Sequence, residues 1–161
     1  MRVRFILNGE PIEVETEPRR LLADVLRHQC GMYGVHLGCE HGVCGACTVF
    51  VNGETALSCL MLAAQADGAD ITTVEGLQRH AFGEELHPVQ RAFHQEHGLQ
   101  CGFCTPGFIM AAVDLLKRIP EPDEATIRSE LSGNLCRCTG YVNIVKAVKA
   151  ASAEIAGRAE K

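Results

Sequence analysis

Over the first 77 residues apolar side chains mostly alternate with polar ones, the period of a strand; beyond that they recur every three or four residues, the period of a helix. Val3, Phe5 and Leu7 alternate with Arg2, Arg4 and Ile6, and Asn8-Gly9 then offers a tight hairpin turn, so that Ile12 and Val14 return on a second strand. Residues 20–29 read as a helix with Leu21, Leu22, Val25 and Leu26 on one face. Residues 48–51 predict another strand, Asn52-Gly53 a second hairpin turn, residues 60–66 a short helix and residues 71–74 a last strand. Two hairpins, one crossing helix and a final strand fit an α+β sheet of β-grasp type.

After residue 77 the strand signals stop. Residues 88–96 are predicted helical. Thr105 can cap a helix with Pro106 at its first position, running to Arg118. Pro120 and Pro122 separate it from a helix capped by Asp123 and ending near Ser132, with Gly133 as its stop. Asn143 can cap a last helix to Ile155, leaving a frayed tail over residues 157–161. Four helices with short links predict a small four-helix bundle. The chain therefore divides into residues 1–77 and 78–161, with no internal repeat.

Composition narrows the function. The 161 residues are 47% hydrophobic and 22% charged, ordinary for a globular protein. Each half owns only a small core, so bound metal can contribute to folding. The net charge is −5, with no run of Lys or Arg, which argues against nucleic acid as a partner. No stretch approaches 18 apolar residues, so no membrane span is expected. The first eight residues have no apolar leader core, no small-residue cleavage site and no twin arginine, and read as a mature start, not an export signal.

Eight of the nine cysteines fall into two sets of four. Cys39, Cys44, Cys47 and Cys59 read C-x4-C-x2-C-x11-C, whose first three positions match the plant-type [2Fe–2S] loop. Gly38, Gly42 and Gly45 interleave with them and let the backbone wrap closely around a cluster and aim N–H groups at its sulfurs. Cys101, Cys104, Cys136 and Cys138 read C-x2-C, 31 residues, then C-x-C. These sit at helix ends, which brings a helix N-terminus near any negative charge held there. Structural zinc on four thiolates is the alternative; spacing favours iron–sulfur for the first set and leaves the second open. Disulfides fit neither the odd count nor a cytoplasmic chain.

Cys30 is left over and reads as a buried structural thiol. His41 lies inside the first cysteine loop, where four cysteines already suffice, so a hydrogen bond or surface role is expected. His87, His94 and His97 read as solvated helix surface, and Ile109, Val113 and Leu116 as core. There is no nucleophile elbow, P-loop or dinucleotide fingerprint. No catalytic residue is assigned, and no substrate chemistry is expected from this chain alone.

The runs Gly38-Cys39-Glu40-His41-Gly42-Val43-Cys44-Gly45-Ala46-Cys47, Gln100-Cys101-Gly102-Phe103-Cys104-Thr105-Pro106 and Gly133-Asn134-Leu135-Cys136-Arg137-Cys138-Thr139-Gly140-Tyr141 resemble the iron–sulfur (small) subunit of molybdenum hydroxylases. This is the xanthine dehydrogenase and aldehyde oxidase family, carbon monoxide dehydrogenase small subunits included. Thr73-Val74-Glu75-Gly76-Leu77 is similar as well. The resemblance implies a plant ferredoxin-like domain with the cluster distal to molybdenum on Cys39, Cys44, Cys47 and Cys59. It implies a helical domain with the proximal cluster on Cys101, Cys104, Cys136 and Cys138. Gln100 and Cys138 would contact the pterin of a molybdenum cofactor carried by a separate large subunit. A medium subunit with FAD would receive the electrons, in a cytoplasmic dimer of heterotrimers. The alternative is a free-standing two-cluster ferredoxin-like carrier.

Overall fold

A computed structural model describes residues 1–80 and 86–159. The N-terminal alternation forms β1 (Arg2–Leu7) and β2 (Glu10–Glu15), paired antiparallel from Arg2 opposite Glu15 to Leu7 opposite Glu10. Asn8 and Gly9 take φ 50° and 78°, the left-handed backbone that such a hairpin demands. Val3, Phe5 and Leu7 are buried while Arg2 and Arg4 face solvent. The second hairpin joins β3 (Thr48–Val51) to β4 (Glu54–Leu57) through Asn52 and Gly53, again left-handed. β5 (Asp70–Thr72) closes the sheet in the order β2-β1-β5-β3-β4, parallel to β1 and antiparallel to β3.

Helix α1 (Leu22–His28) buries Leu22, Ala23, Val25 and Leu26 in one core with Val3, Phe5, Leu7, Val49 and Ile71. Residues 60–66 differ from the predicted short helix. They form two 3-10 turns, Ser58–Leu60 and Ala63–Ala66, separated by an extended Leu62 that bridges Leu21 across α1's start. β5 also stops earlier than expected. The Asn8 side chain accepts from Thr73 N–H (2.9 Å) and donates to its hydroxyl (3.0 Å), turning the chain into the 3-10 segment Val74–His80.

The second half contains α2 (Pro88–Gln95), α3 (Thr105–Arg118), α4 (Glu124–Glu130) and α5 (Val142–Ala159). Their apolar faces meet in a core that includes Phe93, Phe108, Met110, Leu115, Ile127, Ile144 and Val148. Asp123 caps α4 by accepting from Thr126 N–H (2.8 Å), as expected. Several helix ends differ. His87 is buried, not solvated, because its ring caps α2 by accepting from Val89 N–H (3.2 Å). Cys104 holds the N-cap position of α3, and Thr105 is already helical with its hydroxyl buried and unpartnered. α4 ends at Glu130, three residues before Gly133. Asn143 lies inside the first turn of α5, which continues through Ala159; residues 160–161 of the expected frayed tail lie outside the described residues.

α3 joins the halves by packing on β3 and β4. Phe50 of β3 belongs to the helical core, with the Lys117 ammonium 4.2 Å from its ring centroid. Gly107 is part of the same seam, because a Cβ there would overlap the backbone of Gly45 and Ala46. Among the described residues no helix is long and apolar enough to cross a membrane.

Candidate metal centres

The first cysteine set is assembled by the β3–β4 hairpin and the loop that leads into it. Pairing of Thr48 with Leu57 places Cys47 and Cys59 at adjacent hairpin ends. Ser58 fixes them there, donating its N–H (3.3 Å) and hydroxyl (2.7 Å) to the Cys47 carbonyl. Both thiols are buried, and burial pushes Cys47 up to about 11. Cys39 and Cys44 come from the preceding loop, which turns through left-handed Glu40, Gly42 and Gly45. That path folds N–H groups back onto the Cys39 sulfur, from Val43 and Cys44 at 3.3 Å each. Backbone donors from His41, Cys44 and Val43 hold this thiol down at about 6. The His41 ring adds a further contact, its Nδ1 hydrogen-bonded to the Cys39 carbonyl (2.6 Å).

The second set lies at helix ends. Cys104 precedes α3, and Cys101 is one turn back across left-handed Gly102. Cys136 and Cys138 follow α4 in the loop before α5. Thr139 returns its N–H (3.4 Å) and hydroxyl (3.1 Å) to the Cys136 sulfur. Burial pushes the Cys136 thiol up, but the Thr139 donors together with the Cys138 N–H and the Cys104 thiol outweigh it, and the net shift is downward. Burial, and then the neighbouring Cys136, push Cys104 up to about 12. Cys101 and Cys138 are exposed.

Within each set the thiols pair two and two. Cys39 neighbours Cys44 and Cys47 neighbours Cys59, and Cys44 lies near enough to Cys47 for the two to interact electrostatically. Cys104 pairs with Cys136 and Cys101 with Cys138, again with electrostatic contact between the pairs. Among the described residues no three His, Cys, Asp or Glu side chains are disposed to hold a single metal ion. Two pairs of soft thiol donors suit a binuclear core in which each metal takes two thiolates, and sulfur-directed N–H groups suit its negative charge.

The two sets meet at their inner sides. Leu135 N–H donates to the Cys44 carbonyl (3.0 Å), and the buried Asn134 amide donates to the Gly45 carbonyl (3.0 Å). His36 stacks on Phe103, with ring centroids 4.7 Å apart, and its Nδ1 is 2.6 Å from the Phe103 carbonyl. Asn134, His36 and Phe103 were not singled out by sequence. Their partners lie 67 to 89 residues away, and no local pattern announces such contacts. Cys30 stands apart, half-buried against the sheet core, its thiol raised by burial. Gln100 is exposed beside Cys101.

A ferredoxin-like sheet and a helical domain, each carrying a four-cysteine site, define a two-centre iron–sulfur protein. Comparison with known proteins agrees. Residues 5–76 match the model of a 2Fe-2S iron-sulfur cluster binding domain, and residues 73–149 that of a [2Fe-2S] binding domain. The chain is 51% identical to the caffeine dehydrogenase subunit gamma of Pseudomonas sp. (strain CBB1), covering 93% of this chain and 90% of that protein. It is 50% identical to the nicotine 6-hydroxylase small subunit of Paenarthrobacter nicotinovorans, covering 94% and 90%. It superimposes on a chain of the quinoline 2-oxidoreductase crystal structure from Pseudomonas putida 86 with TM-score 0.91 and 47% identity, covering 100% of this chain and 98% of that one. The chain belongs to the family of iron–sulfur subunits of molybdenum hydroxylases. It is an electron-transfer subunit of a multi-subunit oxidoreductase and carries two [2Fe–2S] clusters.

Proposed function

We propose that Cys39, Cys44, Cys47 and Cys59 hold one [2Fe–2S] cluster and Cys101, Cys104, Cys136 and Cys138 the other. The observation that carries this reading is that each set gathers its thiols as neighbours, with N–H groups aimed at the Cys39 and Cys136 sulfurs. When bound, such clusters supply reversible one-electron chemistry. The chain's own residues do the rest. Cys47 and Cys59 anchor the first site in the sheet core, while the N–H groups of Val43 and Cys44 offset negative charge at Cys39. At the second site Cys104 starts α3, whose N-terminal dipole favours negative charge. The Leu135–Cys44 and Asn134–Gly45 hydrogen bonds hold the sites close, which matters because electron tunnelling weakens steeply with distance.

Each site also has an outward side. Gln100, Cys101 and Cys138 are exposed at the second, and Val43 and Leu60 at the first. In this reading the chain takes electrons from a molybdenum-bearing large subunit at the second site, where Gln100 and Cys138 contact the cofactor's pterin. It delivers them from the first site to a medium subunit carrying FAD. The assembly is a dimer of heterotrimers in the cytoplasm, where thiols stay reduced. In this reading residues 1–77 form the first domain and 78–161 the second; the first apolar core draws only on residues before 77, while Phe50 and Leu77 reach into the second. Substrate choice belongs to the large subunit. The test is Cys101→Ser in the whole enzyme. The account expects a damaged second-site signal and lost turnover with an artificial acceptor; full turnover with both cluster signals intact sinks it.

A further inference from the structure

The loop after Cys136 closes on itself through hydrogen bonds. Cys136 N–H donates to the Tyr141 hydroxyl (3.1 Å), Tyr141 N–H donates to the Thr139 hydroxyl oxygen (3.1 Å), and the Thr139 hydroxyl donates to the Cys136 sulfur (3.1 Å). A hydroxyl has one proton. With Tyr141 N–H occupying the acceptor side of Thr139 Oγ1, that proton is directed at the sulfur. The backbone is bent to achieve this: Gly140 and Tyr141 both take left-handed φ, 64° and 69°, an uncommon conformation for a tyrosine. Tyr141 is held there by its ring, packed edge-on to Phe108 at 6.2 Å between centroids. The first site differs in kind, since the donors to Cys39 are backbone groups, Val43 and Cys44, which substitution of a side chain leaves in place.

We propose that the Thr139 hydroxyl sets the reduction potential of the cluster at the second cysteine set, an inference that rests on the assignment of that set as a cluster site. Reduction adds one negative charge to the cluster and its thiolates. A donor aimed at a ligand sulfur binds the more negative state more tightly and so raises the potential. Tyr141 acts through Thr139 as the residue that orients its proton.

The experiment uses the whole enzyme bearing Thr139→Val or Thr139→Ser, with stepwise dithionite reduction followed by electron paramagnetic resonance. Valine keeps the shape and the backbone N–H but removes the hydroxyl. The expected result is a downward shift of the second-site midpoint, equivalent to about a tenfold lower ratio of reduced to oxidised cluster at a fixed potential, or about 59 mV for a one-electron couple. The first-site midpoint stays put, and serine restores the wild-type value. An unmoved second-site midpoint in a fully loaded valine variant overturns the proposal, as does an equal shift at both sites, which marks a general structural effect. Should valine prevent loading, the wild-type enzyme decides. The hydroxyl proton appears as a coupled proton in the second-site signal that exchanges rapidly in D2O, and its absence overturns the proposal. A wild-type enzyme with no second-site signal instead overturns the cluster assignment itself, and the proposal with it.

Discussion

Replacing Gly107 with alanine tests whether the seam between the two halves is as tight as the fold implies. Gly107 sits in the first turn of α3. A Cβ there would lie nearer the Gly45 carbonyl oxygen than the 3.0 Å that real Cβ atoms keep, 3.0 Å from Ala46 Cα and 3.1 Å from the Gly45 carbonyl carbon. These neighbours are backbone, and the Gly45 carbonyl is pinned by donors from Thr48 Oγ1 (2.7 Å) and Asn134 (3.0 Å). Relief requires α3 to shift or the loop carrying Cys44 and Cys47 to deform. Overpacking of this kind costs up to about 3 kcal/mol. Alanine's better helix propensity returns about 1 kcal/mol, leaving a net loss near 2 kcal/mol. For a chain of this size that lowers Tm by about 4–8 °C. Gly157→Ala is the matched control. Gly157 lies in α5 with nothing near its missing Cβ, so propensity acts alone and raises Tm by about 2–4 °C. The assay is thermal unfolding of the loaded protein by far-UV circular dichroism, with cluster absorbance in parallel. A Gly107→Ala protein as stable as wild type, or stabilised like Gly157→Ala, refutes the reasoning.

Asn134→Ala removes a buried donor while the Gly45 carbonyl keeps Thr48, so the expected loss is modest, about 1–2 kcal/mol by denaturant unfolding. Asn134→Asp, which sets a carboxylate against that carbonyl, should lose more; equal stability of the two variants contradicts the hydrogen-bond assignment. Glu154 ties α2 to α5 through Arg91 and also meets Arg158 on its own helix (2.7 Å). Partial burial pushes its carboxyl up, but the two guanidinium partners outweigh this and leave it below its ordinary value of 4.5. A lowered folded pKa means stability that is present above the unfolded value and lost as pH falls through the folded one. Glu154→Gln should therefore cost about 1 kcal/mol, unchanged from pH 8 down to pH 5. A cost that fades between pH 7 and pH 5 would show that the pairing was misjudged.

Much of this architecture was legible because each signal is local. Alternation with Asn-Gly turns at residues 8–9 and 52–53 located both hairpins, and the proline and Asp123 signals placed the helices within a few residues. Cysteine spacing alone separated the two sites. What stayed hidden depends on contacts remote in sequence. Asn8 ends β5 by binding Thr73, 65 residues on, and nothing near Thr73 predicts it. His87 reads as a surface residue because its capping role needs the ring turned inward to Val89. The grouping of thiols within each set exists only once each half folds, and the Asn134 and His36 contacts across the seam only once the halves pack. Gly45 reads in the sequence only as a residue that lets the cysteine loop wrap closely, and nothing there shows that Gly107 packs against it.

The central claim is that this chain carries two separate [2Fe–2S] centres on its two cysteine sets. Electron paramagnetic resonance of the dithionite-reduced protein, with iron counted on the same sample, tests it most directly. The account predicts two distinct spin-half signals and roughly four irons per chain. One signal with half that iron, or stoichiometric zinc and no signal at all, would contradict it.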